Sequence, residues 1–203
     1  MNLSLYFVTP DGGAHLAEMV LAAARGGVTL VQLRDKHAPD DQLIPLARQL
    51  VAALAPFGVP LVINDRIEVA LASGAAGLHV GQGDLAVTEA RRRLGPGRLL
   101  GLSIEDVRHL DRLPPGIVDY VGVGPVRATV SKPDHAPPIG FEGLARIVAA
   151  APVPAVAIGG LGLGDAAAVR RAGAAGLAVV SAIGGAADPE AAARALAEDW
   201  RTA

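Results

Sequence analysis

The sequence predicts an α/β fold, a (β/α)8 or TIM barrel, spanning residues 1–203 as a single domain. Three observations predict it. Short apolar runs rich in Val, Ile and Leu alternate with longer segments of helical spacing along the whole chain. The runs are apolar on consecutive residues, the pattern of strands buried on both faces of a parallel sheet. The length of 203 residues suits one domain at the short end for eight βα units.

In order, the strand runs are LYFVT (5–9), TLVQLRD (29–35), PLVIND (60–65), GLHVG (77–81), LLGLS (99–103), YVGVGP (120–125), PAVAIGG (154–160) and GLAVVSA (176–182). Gly, Pro, Asn or Asp bound them. Helical spacing marks the segments 15–27, 40–58, 87–95, 141–151, 164–174 and 188–200. The first ends in glycines, which suit a helix C-terminus. The second begins with Asp40 and Asp41, as a helix N-terminus prefers, and carries Pro45 in its early turns. Thr88 is a cap candidate for the third. In the last, Asp188 is the expected N-cap, with Pro189 at the first helical position.

Strand followed by helix, repeated with short links, implies parallel strands joined by crossover helices. Eight equal units without an edge strand close most naturally into a barrel; an open doubly wound sheet is the alternative. No linker or shift in composition divides the chain. One long irregular stretch, ATVSKPDHAPPIG (128–140), follows the sixth strand. Long loops in compact domains tend to serve function or to be disordered.

Composition narrows the function classes. The chain has no cysteine, so disulfides, thiol catalysis and cysteine metal sites are excluded. That fits a reducing compartment. The net charge of −2 argues against nucleic acid as the main partner. No apolar run approaches the roughly 18 residues of a membrane helix. The N-terminus MNLSLYFVTPDGG lacks the pattern of a secretory signal, so a cytoplasmic protein acting on small molecules is expected. A homo-oligomer is left open. Aromatic residues are 3% of the chain, few for stacking on bases.

Polar residues cluster at the C-terminal ends of the strands, where barrels keep their chemistry. In QLRDK, alternation puts Gln32, Arg34 and Lys36 on one face, two cations and an amide together. Arginine can fork two phosphate oxygens and lysine adds a compact charge; an exposed basic strand end paired with nearby acids is the competing account. Asp65 and Asp84 follow adjacent strands. Beside a pyrophosphate they make sense only around a hard cation such as Mg2+, which one or two carboxylates and substrate phosphates hold together. Against that stand a salt bridge from Asp65 to Arg34 or Arg66, and a helix-capping role for Asp84. Lys132, between the hydroxyls of Thr129 and Ser131 and the following proline, could close over a phosphate or be a solvated loop lysine. Gly159–Gly160 and Val180–Ser181 end the last two strands, where barrels often bind phosphate through backbone N–H groups; a simple turn would also explain the glycines. His79 lies within the fourth strand, as a pocket residue or a hydrogen-bonded interior one. His15, His37, His109 and His135 are scattered. No spacing suggests zinc, and no Gly-x-Ser-x-Gly marks a hydrolase nucleophile.

The segments GGVTLVQLRDK (26–36), VINDR (62–66), GLHVGQGD (77–84), GLS (101–103), DYVGVGPVRATVSKPD (119–134), AIGG (157–160) and GLAVVSAI (176–183) occur in the order of one family. By them the chain resembles thiamine-phosphate synthase nearly end to end. The resemblance implies a Mg2+-dependent transferase that joins a hydroxymethyl-aminopyrimidine diphosphate to a thiazole phosphate, or to its carboxylate with loss of CO2. It implies Gln32, Arg34, Lys36, Asn64, Ser103 and Lys132 around the pyrimidine pyrophosphate, with Arg34, Lys36, Ser103 and Lys132 catalytic. It implies Asp65 and Asp84 on Mg2+, His79 near the pyrimidine, and Thr129, Ser131, Gly160, Val180 and Ser181 on the thiazole phosphate. Leu33 and Asp35 in the second-strand motif and Val130 in the loop join the substrate-contacting set. The family reaction is a dissociative substitution in which pyrophosphate leaves first. Two departures stand out: Asp35 replaces a glutamate, and Arg127 replaces the phenylalanine of a Phe-x-Thr-x-Thr-Lys motif, which predicts the loss of an apolar contact under the loop. Rival readings are a thiazole tautomerase of the same superfamily, another sugar-phosphate barrel enzyme, and a non-catalytic sensor of phosphate ligands.

Overall fold

The computed structural model describes the chain apart from residues 14, 130 and 132–135. Eight parallel strands close into a barrel in sequence order, β1 pairing with both β2 and β8. The strands are β1 (Leu5–Val8), β2 (Leu30–Leu33), β3 (Leu61–Asn64), β4 (Gly77–Val80), β5 (Leu99–Ile104), β6 (Tyr120–Val123), β7 (Ala155–Ile158) and β8 (Gly176–Val179). The open-sheet alternative is thereby excluded. Around them run α1 (Leu16–Arg25), α2 (Asp40–Leu54), α3 (Ile67–Ser73), α4 (Val87–Leu94), α5 (Gly140–Ala150), α6 (Ala166–Arg171), the single turn α7 (Ser181–Gly184) and α8 (Pro189–Thr202). Where a full helix would follow β5, a 3-10 segment, Val107–Arg112, takes its place.

Alternation along each strand builds two apolar layers. Residues such as Phe7, Val31, Leu33, Ile63, Leu78, Leu100, Val121 and Leu177 point outward and join the buried helix faces in one core. The helices supply matching stripes; in α2 it is Leu43, Ala47, Leu50 and Leu54. Inward-facing Tyr6, Leu30, Val62, Tyr120, Val156 and Ala178 fill the barrel itself. Above this plug the inward positions on β2 to β5 turn polar with Gln32, Asn64, His79 and Ser103, while Val8, Ile158 and Val180 keep the opposite side apolar.

Helix ends follow local chemistry. Asp188 accepts from the Ala191 N–H at 2.9 Å, as an N-cap should. The cap position of α4 is Ala86, so Thr88 sits inside that helix and not before it.

Candidate active site

The C-terminal strand ends surround a cavity of about 380 Å3. On the side of β2 to β4 it is lined by Gln32, Arg34, Lys36, Asn64, Asp65, His79 and Asp84. Ser103 comes from β5 and Thr129 and Ser131 from the loop after β6. Gly160, Val180 and Ser181 form the wall beyond β7 and β8. The face shared by Gln32, Arg34 and Lys36 continues past the end of the regular strand at Leu33.

Two expected contacts fall elsewhere. Leu33 has the opposite parity to Gln32 and Arg34, so its side chain is buried in the outer core against the helices. The Asp35 carboxylate turns back on its own loop, accepting from the His37 and Ala38 N–H groups at 2.8 and 2.9 Å, and it does not line the cavity. Neither side chain lines the cavity. Val130 and Lys132 lie outside the described residues.

Arg34 is held in place by Asp11, from the loop after β1, at 3.0 Å. Arg66 pairs with Asp40 at 2.6 Å and donates to the Lys36 carbonyl. Neither arginine pairs with Asp65, so the salt-bridge account of that residue fails. The capping account of Asp84 fails too: its carboxylate accepts from the Gly81 N–H at 2.7 Å, and no side chain caps α4.

Asp65 is the one non-glycine residue with positive φ among those described, at 58°. Its own N–H continues the ladder to the His79 carbonyl at 2.8 Å, and the Arg66 N–H reaches back to the Asn64 carbonyl at 2.6 Å. The result is a tight three-residue turn centred on Asp65. Backbone strain of this kind gathers at functional sites. Burial, and then the adjoining Asp84 carboxylate, push the Asp65 carboxyl up to about 7, while Lys36 and Asn64 pull it the other way. Two carboxyls crowded together at the mouth of a cavity that also presents Arg34 and Lys36 form a donor set suited to a hard divalent cation shared with phosphate oxygens. No cluster of three or more His, Asp or Glu exists among the described residues, so the protein alone would supply an incomplete shell.

Across the floor runs a chain of hydrogen bonds that sequence reasoning missed. Gln32 Nε2 donates to Tyr6 Oη at 2.6 Å, and Tyr6 Oη meets Tyr120 Oη at 2.9 Å. Tyr120 Oη meets His79 Nδ1 at 3.0 Å, and His79 Nε2 meets Ser103 Oγ at 3.0 Å. Glycines make room for it. In register, His79 lies beside Gly101, and Gly101 beside Tyr120. A Cβ on Gly101 would stand 2.2 Å from the Tyr120 ring and 2.5 Å from His79 Nδ1. Burial pushes both phenols upward and the imidazole down to about 4, so His79 is neutral. The signal was present in the strand parity: Tyr6 and Tyr120 occupy inward positions beneath polar neighbours.

Arg127 also departs from expectation. Its guanidinium lies 5.1 Å from the centroid of the Phe141 ring, so the contact beneath the loop is kept by a cation on an aromatic face.

A closed barrel with cations and paired carboxyls at one side of its mouth and glycine turns at the other has the architecture of a barrel enzyme. The thiamine monophosphate synthase family model matches residues 5–183. The thiamine-phosphate synthase of Albidiferax ferrireducens is 51% identical over 92% of this chain and 87% of its own. That of Psychrobacter sp. is 50% identical, covering 96% and 93%. Thiamine phosphate pyrophosphorylase from Pyrococcus furiosus superposes with a TM-score of 0.88 at 31% identity, over 98% of this chain and 96% of that one. This chain belongs to the thiamine monophosphate synthase family. Among the described residues no helix is long and apolar enough to cross a membrane.

Proposed function

We propose that this chain is a transferase that condenses a hydroxymethyl-aminopyrimidine diphosphate with a thiazole phosphate, or its carboxylate, giving thiamine phosphate and pyrophosphate, with CO2 as a further product from the carboxylate. The family, the relatives near 50% identity and the superposed pyrophosphorylase support this reading. The observation that carries it is the pairing of Asp65 and Asp84 in the same cavity wall as Arg34 and Lys36.

The difficult step is departure of pyrophosphate from the pyrimidine methylene carbon, and it needs charge stabilisation more than an activated nucleophile. Arg34, oriented by Asp11, and Lys36 present N–H donors to the departing oxygens, and the family motif assigns Lys132 the same role. Asn64 and Ser103 add neutral hydrogen bonds. Asp65 and Asp84 would hold Mg2+, which when bound neutralises charge on the diphosphate. Gln32 and His79 line the floor where the pyrimidine ring would rest. Thr129, Ser131, Gly160, Val180 and Ser181 form the far wall, which would take the thiazole phosphate. The glycines allow backbone N–H groups to approach phosphate closely. A tautomerase of the same superfamily would need a proton-transfer group at the end of β6, where this chain has Gly122 and Gly124.

The reading is tested by supplying both precursors and measuring the products. It expects thiamine phosphate and pyrophosphate in equal amounts. Binding of both precursors with neither product formed would indicate a sensor instead, and would overturn it.

A further inference from the structure

We propose that Tyr120 is a positioning residue that sets the tautomer of His79 and thereby makes Ser103 a one-way hydrogen-bond donor into the cavity. The proposal deepens the synthase reading and rests on it for the identity of the acceptor, a lone pair on the bound pyrimidine diphosphate.

The number of protons in the hydrogen-bond chain fixes its direction. Each phenol has one, and a neutral imidazole has one. Gln32 Nε2 is a donor only, so Tyr6 Oη must accept from it at 2.6 Å. The Tyr6 proton then needs an acceptor, and Tyr120 Oη at 2.9 Å is the remaining partner of that oxygen among the described residues. Tyr120 in turn passes its proton toward His79 Nδ1 at 3.0 Å. With Nδ1 accepting, the imidazole carries its hydrogen on Nε2 and donates to Ser103 Oγ at 3.0 Å. Ser103 has then accepted from the protein side, and its own hydrogen is directed to the cavity it lines.

Running the chain backward fails at its far end. If Ser103 donated to His79 and His79 to Tyr120, Tyr6 would accept from both Tyr120 and Gln32. Its own proton would be left in the barrel interior without an acceptor, a costly arrangement for a buried hydroxyl. The side-chain amide of Gln32 therefore acts as the stop that fixes the direction. Tyr6 and Tyr120 meet edge to face, with ring centroids 5.9 Å apart, which locks both hydroxyls in line.

The direct test is nitrogen NMR of the unliganded protein labelled at histidine, with the His79 signals assigned by their loss in His79→Gln. The expected spectrum has the hydrogen on Nε2 and a bare Nδ1. Tyr6→Phe should keep that tautomer, because Tyr120, left with His79 as its partner, would strand its own proton by accepting and so still donates; Tyr120→Phe should shift it toward a mixture. In turnover, Tyr120→Phe should lower kcat about tenfold with KM for the thiazole phosphate unchanged, since Ser103 loses its fixed direction. A wild-type His79 carrying hydrogen on Nδ1, or a Tyr120→Phe protein with unchanged tautomer and unchanged kcat, would overturn the proposal. The NMR readout needs no substrate, so failure of the synthase reading would show in the product assay alone.

Discussion

Arg127 and Asp165 form a two-pronged ion pair, with both guanidinium arms 2.7 Å from carboxylate oxygens. The same guanidinium donates to the Gly160 carbonyl at 3.2 Å, and the Arg127 N–H donates to Gly159 at 3.0 Å. The root of the loop after β6 is thus tied to the glycine turn after β7. Arg127→Ala should raise KM for the thiazole phosphate about tenfold with a smaller change in kcat, because the turn loses its brace. Stability should fall by no more than about 1 kcal/mol, since the pair is partly exposed. Steady-state kinetics with the thiazole phosphate varied would reveal it; an unchanged KM would separate the pair from the site.

Gly160 itself has φ of 62°, and a Cβ there would stand 2.8 Å from the Ala128 carbonyl and from Arg127 Cβ. Gly160→Ala is strained in backbone and crowded in space. The expected result is a loss of thiazole phosphate affinity of about tenfold or more, with a stability cost on the order of 1–2 kcal/mol. Calorimetric titration and thermal unfolding measure the two separately.

Asp65 links the site to pH. Its carboxyl rises from 3.8 to about 7 on folding, so between those values the folded state binds more protons than the unfolded state. Its contribution to stability is therefore lost as pH rises through that window. Asp65→Asn removes the charge, and asparagine tolerates positive φ. Without Mg2+, the variant should match the wild type near pH 4 and exceed it above pH 7. Allowing for solvent in the open cleft, the gain is on the order of 2 kcal/mol. Denaturant unfolding at several pH values checks the sign. Added Mg2+ should stabilise the wild type at pH 8 and leave the variant nearly unchanged.

Arg91 works at the other end of the barrel. It reaches the carbonyls of Gly95, Arg98 and Ile117 within 2.8 Å and pairs with Asp119 at 2.6 Å, which also accepts from the Leu100 N–H. These groups precede β5 and β6, on the face that serves stability in barrels. Arg91→Ala should cost on the order of 2 kcal/mol in unfolding while kcat and KM stay as they were. A fall in kcat measured on fully folded protein would contradict this division of the fold.

Much of the barrel was legible because its strands are buried on both faces and read as continuous apolar runs. Their ends were less so. Arg34, Asp35 and Asp65 read as strand residues, yet β2 stops at Leu33 and β3 at Asn64, where the chain turns and brings Arg34 and Asp65, though not Asp35, to the cavity. The helix Ile67–Ser73 escaped notice since it is short and starts at Arg66 without a side-chain cap. For the site, alternation places Gln32, Arg34 and Lys36 on one face and all three line the cavity, whereas the family motif also includes Leu33 and Asp35, whose parity or loop turns their side chains away from it. Tyr6 and Tyr120 lie within apolar runs, and their hydroxyls gain meaning only once the closed barrel brings β1 and β6 face to face across its interior.

If Asp65 and Asp84 serve a cation that assists the departure of pyrophosphate, turnover must follow the metal. Pyrophosphate release should be followed with both precursors present, over a range of Mg2+ concentrations, after the protein has been stripped of divalent ions. Negligible release is expected without Mg2+, with saturable activation on its return and loss of that activation in Asp84→Asn. Full release from the stripped protein, unchanged by Mg2+ or by the substitution, would contradict it.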